Sequence, residues 1–258
     1  MLKKILEAII IFICISMMIF SGIRILDWLK ENKQNKDIIQ DISNTVSIDE
    51  NLDNKYKYDI DFESLKQKNN DIIAWLKVNG TEIEYPVVKT TNNDYYMNHS
   101  LDKSYNSAGW IFIDYRNKLD GEDKNMVIYG HNRRDGSIFG TLKNILTEEW
   151  YNNEENYLIP FITENDKSDY QVFSVYRIEK EDYYITTDFK DNEEYEKFLD
   201  TIKSRSIKDF GVEVTSQDQI ITLSTCADNN KYRVVLHAKK QTRNKSEVGF
   251  SKDENEKH

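Results

Sequence analysis

The two cysteines of this 258-residue chain are Cys14, inside an apolar N-terminal run, and Cys226, near the other end. Cys226 closes the run "IITLSTC", and "ADNN" directly after it is a turn signal, so a strand delivers the thiol to an edge. Seven positions on, Arg233 opens a second apolar run, "RVVLHA". In one continuous strand that odd separation puts the two residues on opposite faces, whereas a turn between antiparallel strands brings them side by side. A guanidinium beside a thiol favours the thiolate and can donate to an oxyanion. The plainer reading, a core cysteine and a solvent-exposed arginine, stays open on these two residues alone.

A cysteine nucleophile wants a proton partner, normally histidine, and the chain has four. His258 lies at the end of a polar tail and His99 in the polar stretch "MNHSLDK". His237 sits inside "RVVLHA", on the face of Arg233 but about two pleats away. His131 differs: in "NMVIYGHN" an apolar strand runs straight into Gly130 and His131, which presents the imidazole at a strand end, as Cys226 is presented. A lone histidine is more often structural than catalytic, so His131 gains weight only in company with Cys226 and Arg233.

The elements that must position these residues are strands. Val, Ile, Phe and Tyr-rich runs predict strands at residues 83–89, 110–113, 126–129, 171–178, 220–225 and 232–239. Amphipathic patterns predict helices in "DFESLKQKNND", with Asp61 as N-cap, in "SIFGTLKNIL" and in "NEEYEKFLDTIKSRS". So many short strands leave exposed edges unless the sheet closes, so a β-barrel with peripheral helices is expected. With 39% hydrophobic residues, 16 Tyr and 11 Phe, the bulk of the chain can build a core. A net charge of -10, with basic residues dispersed, argues against nucleic acid as a partner. Cys14 and Cys226 fall on opposite sides of any membrane boundary, so neither a disulfide framework nor a cysteine metal cluster is expected.

Residues 1–29 read as a membrane anchor: a basic start at Lys3 and Lys4, then Ala8 to Ile23 without charge, with apolar spacing continuing through Leu26, Trp28 and Leu29. A cleaved signal peptide is the rival, but "MIFSGIRILDWL" offers no small-residue cleavage site. Lys30, Lys33 and Lys36 on the far side blunt the charge argument for orientation. Residues 30–60 read as a helical or flexible stalk, 61–240 as the globular domain and 241–258 as a disordered tail.

The motif "TLSTC", Thr222 to Cys226, an arginine opening "RVVLHA", and "VIYGHN" upstream together resemble the sortases, membrane-anchored cysteine transpeptidases of Gram-positive bacteria. The resemblance covers roughly Phe62 to Lys240. A long helix-bearing connection, Glu179 to Gln219, and a helix before the first strand are similar to class B members, and no aspartate-aromatic lid precedes Asp61. The resemblance implies a closed barrel of about eight strands with N-terminal helices and a helix before the TLxTC strand. It implies that Cys226 attacks the threonine carbonyl of a sorting motif in an exported protein, forming a thioester that a peptidoglycan amine resolves. His131 would shuttle the proton and Arg233 would hold the oxyanion. Asn93, Met97, Tyr129, Ser224, Tyr184 and Ile185 would line the substrate site. No metal or organic cofactor is implied, and the catalytic domain would lie outside the cell with the N-terminus in the cytoplasm.

Two points keep the assignment dependent on structure: Arg233 must open the last strand, and His237 competes with His131. Papain-like peptidases place Cys before His, and cysteine L,D-transpeptidases carry arginine two positions after the thiol, where this chain has Asp228. A tethered extracellular binding module without catalysis and a pilin-polymerising sortase are the remaining alternatives.

Overall fold

A computed structural model describes residues 1–43, 45–49, 57–227 and 231–241. The segment expected as a disordered tail lies, beyond Gln241, outside the described residues, as do His258, Asp228 and most of the "ADNN" turn. In chain order the elements are α1 (Leu2–Ser43), β1 (Val46–Asp49), β2 (Lys57–Ile60), α2 (Phe62–Lys68), β3 (Ile72–Val78), β4 (Ile83–Val88), β5 (Phe112–Ile113) and β6 (Asn125–Gly130). Then follow α3 (Glu148–Tyr151), β7 (Leu158–Thr163), β8 (Lys167–Glu179), α4 (Asn192–Ser204), β9 (Ile220–Ala227) and β10 (Tyr232–Lys240).

Eight strands close into a barrel in the order β10-β8-β7-β3-β4-β5-β6-β9, with β9 pairing back onto β10. Closure removes the edges that short strands would otherwise expose. Most neighbours are antiparallel, but β4 with β5 and β6 with β9 run parallel. The apolar side chains of β9, Ile220, Ile221 and Leu223, are fully buried, as are Val235 and Leu236 of β10. Burial on both faces explains why these two strands read as nearly continuous apolar runs rather than as alternating ones.

The predicted helix at "NEEYEKFLDTIKSRS" is α4. Asp191 caps it by accepting from the Glu194 amide at 2.9 Å, and Tyr195, Phe198, Leu199 and Ile202 bury one face. Asp61 caps α2 as the sequence suggests, accepting from the Ser64 amide at 2.9 Å. The stretch "SIFGTLKNIL" differs from expectation: only Leu142–Leu146 is helical, as a short 3-10 segment. Gly140 packs so tightly that a Cβ there would lie 2.3 Å from the Arg133 carbonyl oxygen, and Ile138 has φ +58°; neither suits a regular helix. Strands β3 and β7 were not anticipated from the sequence. β7 carries Pro160, which demotes a strand reading, and β3 follows α2 after only Asn69, Asn70 and Asp71.

The segment 30–60 is not a free stalk in its described parts. Its first half continues α1 as one 42-residue helix and docks on the barrel domain, with Ile42 1% and Asn35 2% exposed. The other half supplies β1 and β2, which pair as an antiparallel two-stranded sheet. The first half of α1 is long and apolar enough to cross a membrane, with none of its apolar stretch buried in the protein.

His237 shows how the interior resolves the competition between histidines. It is fully buried in β10, opposite Thr222 of β9. Its Nε2 lies 2.8 Å from the Tyr176 hydroxyl and its Nδ1 2.8 Å from the Thr222 hydroxyl, so both ring nitrogens are occupied inside the barrel. Burial, with Arg205 adding repulsion, pushes its pKa down to about 3. The ring is a structural link between β8, β9 and β10. Because the unfolded chain protonates His237 near its ordinary ~6.5 and the native chain does not, its neutral form contributes stability above that value, lost as pH falls toward about 3. Urea denaturation of the detergent-solubilised chain should therefore show stability falling from pH 6 to pH 4, with up to about 1.4 kcal/mol per pH unit from this one group. His237→Asn should be less stable at pH 7 but show a shallower fall; an unchanged slope would assign the acid sensitivity elsewhere.

Candidate active site

β9 is paired on both flanks. Against β6 it runs parallel, with Gly130 level with Thr225; against β10 it runs antiparallel, with Arg233 level with Cys226. His131 is the next residue after Gly130, so its backbone leaves β6 at the level of Cys226. Three positions spread from residue 131 to residue 233 therefore lie abreast at the ends of adjacent strands, at one end of the barrel. The seven-residue separation of Cys226 and Arg233 resolves as the hairpin arrangement, with Arg233 opening the last strand after Tyr232.

The His131 ring is held from one side. Its Nε2 lies 2.8 Å from the Met97 carbonyl oxygen. A carbonyl can only accept, so this bond fixes a proton on Nε2 and leaves Nδ1 as the basic nitrogen of the neutral ring. Gly109, with φ +59°, lies beneath: a Cβ there would sit 3.0 Å from the His131 Cδ2 and 2.8 Å from the Met97 oxygen. Gly130 is equally crowded, since its Cβ would meet the Phe139 ring at 2.7 Å. Two bare backbones thus allow ring, carbonyl and strand end to close together.

Arg233 is half-buried and donates from a terminal guanidinium nitrogen to the Tyr232 carbonyl at 3.0 Å. It shares with His131 a cleft of about 450 Å³. All six residues expected to line a substrate site border that same cleft: Asn93, Met97, Tyr129, Ser224, Tyr184 and Ile185. Tyr129 is the last residue but one of β6, and Ser224 lies on β9 beside it in register. Tyr184 and Ile185 belong to a 3-10 turn between β8 and α4, and the Tyr184 and Ser224 hydroxyls are 3.0 Å apart. Met97 is 40% exposed, an apolar side chain offered at the mouth.

The sequence did not single out Asp114, which organises this wall. Its carboxylate, with no exposed side-chain surface, accepts from Arg116 Nε at 2.8 Å and a terminal nitrogen at 2.7 Å, from the Tyr129 hydroxyl at 2.8 Å and from Asn93 Nδ2 at 3.0 Å. Arg116 also donates to the Ile185 carbonyl at 3.0 Å, tying in the Tyr184 turn. Burial by itself would raise the Asp114 carboxyl, but the bonds from Arg116 and Tyr129 outweigh it and hold the group below the usual carboxylate range. Burial first, and then the Asp114 charge, keep the Tyr129 phenol protonated far above its ordinary range, so it acts as a donor here. The only local hint was the spacing of Asp114 and Arg116 after an apolar pair. Among the described residues, no group of three or more His, Cys, Asp and Glu side chains is disposed to hold a metal ion.

The cleft offers an imidazole, a guanidinium and hydroxyl groups around the backbone position of a thiol residue. That set can bind an extended acyl compound, stabilise an oxyanion and move a proton. Two substitutions test its construction. Asp114→Asn keeps the shape but removes the charge that Arg116 grips, and should cost about 2–3 kcal/mol in urea denaturation. Gly109→Ala places a side chain at positive φ against the Met97 carbonyl and should cost about 1–3 kcal/mol. Wild-type stability in either variant would show that the contact is slack.

The Sortase domain family model matches residues 76–241. Over 243 residues the chain is 33% identical to sortase B of Staphylococcus aureus strain NCTC 8325 / PS 47, an alignment covering 92% of this chain and 97% of that one. Among solved structures, sortase B from Bacillus anthracis in complex with AAEK1 is similar with a TM-score of 0.72 and 33% identity, over 83% of this chain and 100% of its own. A Staphylococcus aureus sortase B-substrate complex gives a TM-score of 0.66 and 37% identity, over 71% of this chain and 85% of the other. With the closed barrel and a family model spanning β4 to β10 in agreement, the chain belongs to the sortase family of cysteine transpeptidases.

Proposed function

We propose that the chain is a membrane-anchored, class B-type sortase that joins exported proteins to the cell wall, with Cys226 as nucleophile, His131 as proton carrier and Arg233 as oxyanion partner. The observation that supports this reading is the register of three adjacent strands, in which Cys226 pairs with Arg233 and Gly130, just before His131, with Thr225, while His131 and Arg233 line one cleft. His131 takes the thiol proton of Cys226 at Nδ1, and the resulting thiolate attacks the carbonyl carbon of a threonine in a C-terminal sorting motif. As the tetrahedral oxyanion collapses, the carbon–nitrogen bond breaks and the leaving amine takes a proton from His131, leaving a thioester. An amine of a peptidoglycan precursor or cross-bridge then gives its proton to His131, attacks the thioester carbonyl and releases the thiolate. Water in place of the amine makes the same enzyme a cysteine endopeptidase, a hydrolase. Arg233 donates to the oxyanion in both halves.

The remaining assignments follow from position. Asn93, Met97, Tyr129, Ser224, Tyr184 and Ile185 contact the sorting peptide, since they line the cleft that holds His131 and Arg233. Residues 1–29 anchor the protein in the membrane, with the N-terminus cytoplasmic and the barrel outside the cell; residues 61–240 form the catalytic domain. Its partners are proteins bearing a sorting motif and the peptidoglycan amine that accepts them.

The full chain in detergent, offered fluorescence-quenched peptides with NPQTN-like, LPxTG-like and S/PPxTG-like motifs, should cleave one class after threonine. Cys226→Ala should abolish cleavage, His131→Ala should lower kcat about 10²–10⁴-fold and Arg233→Ala about 10²–10³-fold. No cleavage of any peptide, with a Cys226 thiol that hydrophilic alkylating reagents cannot reach in the native state, would leave a tethered binding module as the reading.

A further inference from the structure

The half of α1 that follows the apolar stretch carries a stripe of residues turned toward the barrel: Glu31, Gln34, Asn35, Ile38 and Ile42, at the i, i+3, i+4, i+7 and i+11 spacing of one helix face. Its upper contacts are polar. Asn35 Oδ1 accepts from the Ser100 hydroxyl and from Asn106 Nδ2, each at 3.1 Å, and the Glu31 carbonyl accepts from the same Asn106 nitrogen at 3.2 Å. On the neighbouring face, Asn32 Oδ1 accepts from Arg133.

Both sets of contacts lead to His131. Arg133 is two residues beyond it in a tight loop closed by the Phe139 amide donating to the His131 carbonyl at 3.1 Å, and its side chain is 12% exposed. Arg133 also donates to Asp135 at 3.0 Å, so Asn32 is the partner that ties this loop to another element. The second route runs through the acceptor of the ring proton. Asn106 donates its amide to the Asn98 carbonyl at 3.0 Å, next to Met97, whose carbonyl holds the His131 Nε2.

We propose that the membrane-proximal part of α1 is a positioning element for His131, and that Asn32, acting through Arg133, is its principal residue. The helix read as an anchor thereby fixes the proton carrier against the strand end of Cys226. This rests on His131 being the proton carrier.

The test uses the full chain in detergent with the sorting peptide the wild type cleaves best. Asn32→Ala should lower kcat about 10-fold, as loss of alignment without loss of binding does, with KM within about twofold. Asn32→Asp, which can still accept from Arg133, should retain kcat within about twofold. Asn32→Gln keeps the amide but shifts it by a methylene; it should also lose kcat, and it reads the same step should Asn32→Ala unfold. Ser107→Ala, which removes a contact to Glu31 on the same helix without touching Arg133, should leave kcat unchanged.

Wild-type kcat in Asn32→Ala, alongside an inactive His131→Ala, would overturn the positioning of His131 by α1 and leave the catalytic reading standing. Equal loss in Ser107→Ala and Asn32→Ala would also overturn it, since general docking would then be the cause. An active His131→Ala would remove the catalytic reading and this inference together.

Discussion

Everything at the functional end of this molecule depends on β9 being hydrogen-bonded along both flanks. A strand with a single neighbour can slip by one residue, and a slip of one reverses every side chain. Held by β6 on one side and β10 on the other, β9 is over-determined: displacement must break two ladders and expose Ile221 and Leu223. The register that aligns Gly130 with Thr225 and Cys226 with Arg233 is thus the one that completes the core. Hydrophobic burial, which is not directional, is converted by strand pairing into the placement of chemically active groups. His237 reinforces the lock, because its ring bonds to Thr222 on β9 and Tyr176 on β8 from its own place on β10.

The second organising group is a single buried charge. A carboxylate without exposure is costly unless its lone pairs are filled and its charge matched, and Asp114 meets both conditions through Arg116, Tyr129 and Asn93. Those partners come from separate segments, so satisfying one group assembles several sides of the cleft. Solvent exclusion around it also strengthens each bond, which favours a wall already set before a peptide arrives.

The parts of this arrangement that were legible in the sequence were those with local signatures. A glycine at the end of an apolar run announced His131, a turn signal announced the hairpin of Cys226 and Arg233, and 3.6-residue spacing announced α4. The closed barrel was legible as well, because many short strands without closure leave unpaired backbone. The six residues brought to the cleft beside them came from the family resemblance rather than from any pattern in the chain. Asp114 was not legible, since its partners at positions 93, 116 and 129 share no periodicity. Gly109 was hidden for a related reason: what it must accommodate, the Met97 carbonyl and the His131 ring, is defined only in three dimensions. The docked half of α1 read as a stalk because its inward face begins with Glu31, Gln34 and Asn35, residues that look solvated until their partners are known.

The lengthwise seating of α1 also decides how the molecule bears mechanical load. Its attachments run from Glu31 to Ile42, about 17 Å along the helix axis. A pull on the barrel along that axis strains all of them at once, in shear, whereas a sideways pull would peel them one at a time. The seam between helix and barrel therefore resists sliding along the helix axis better than peeling across it, and Arg133, two residues from His131, is one of its contacts.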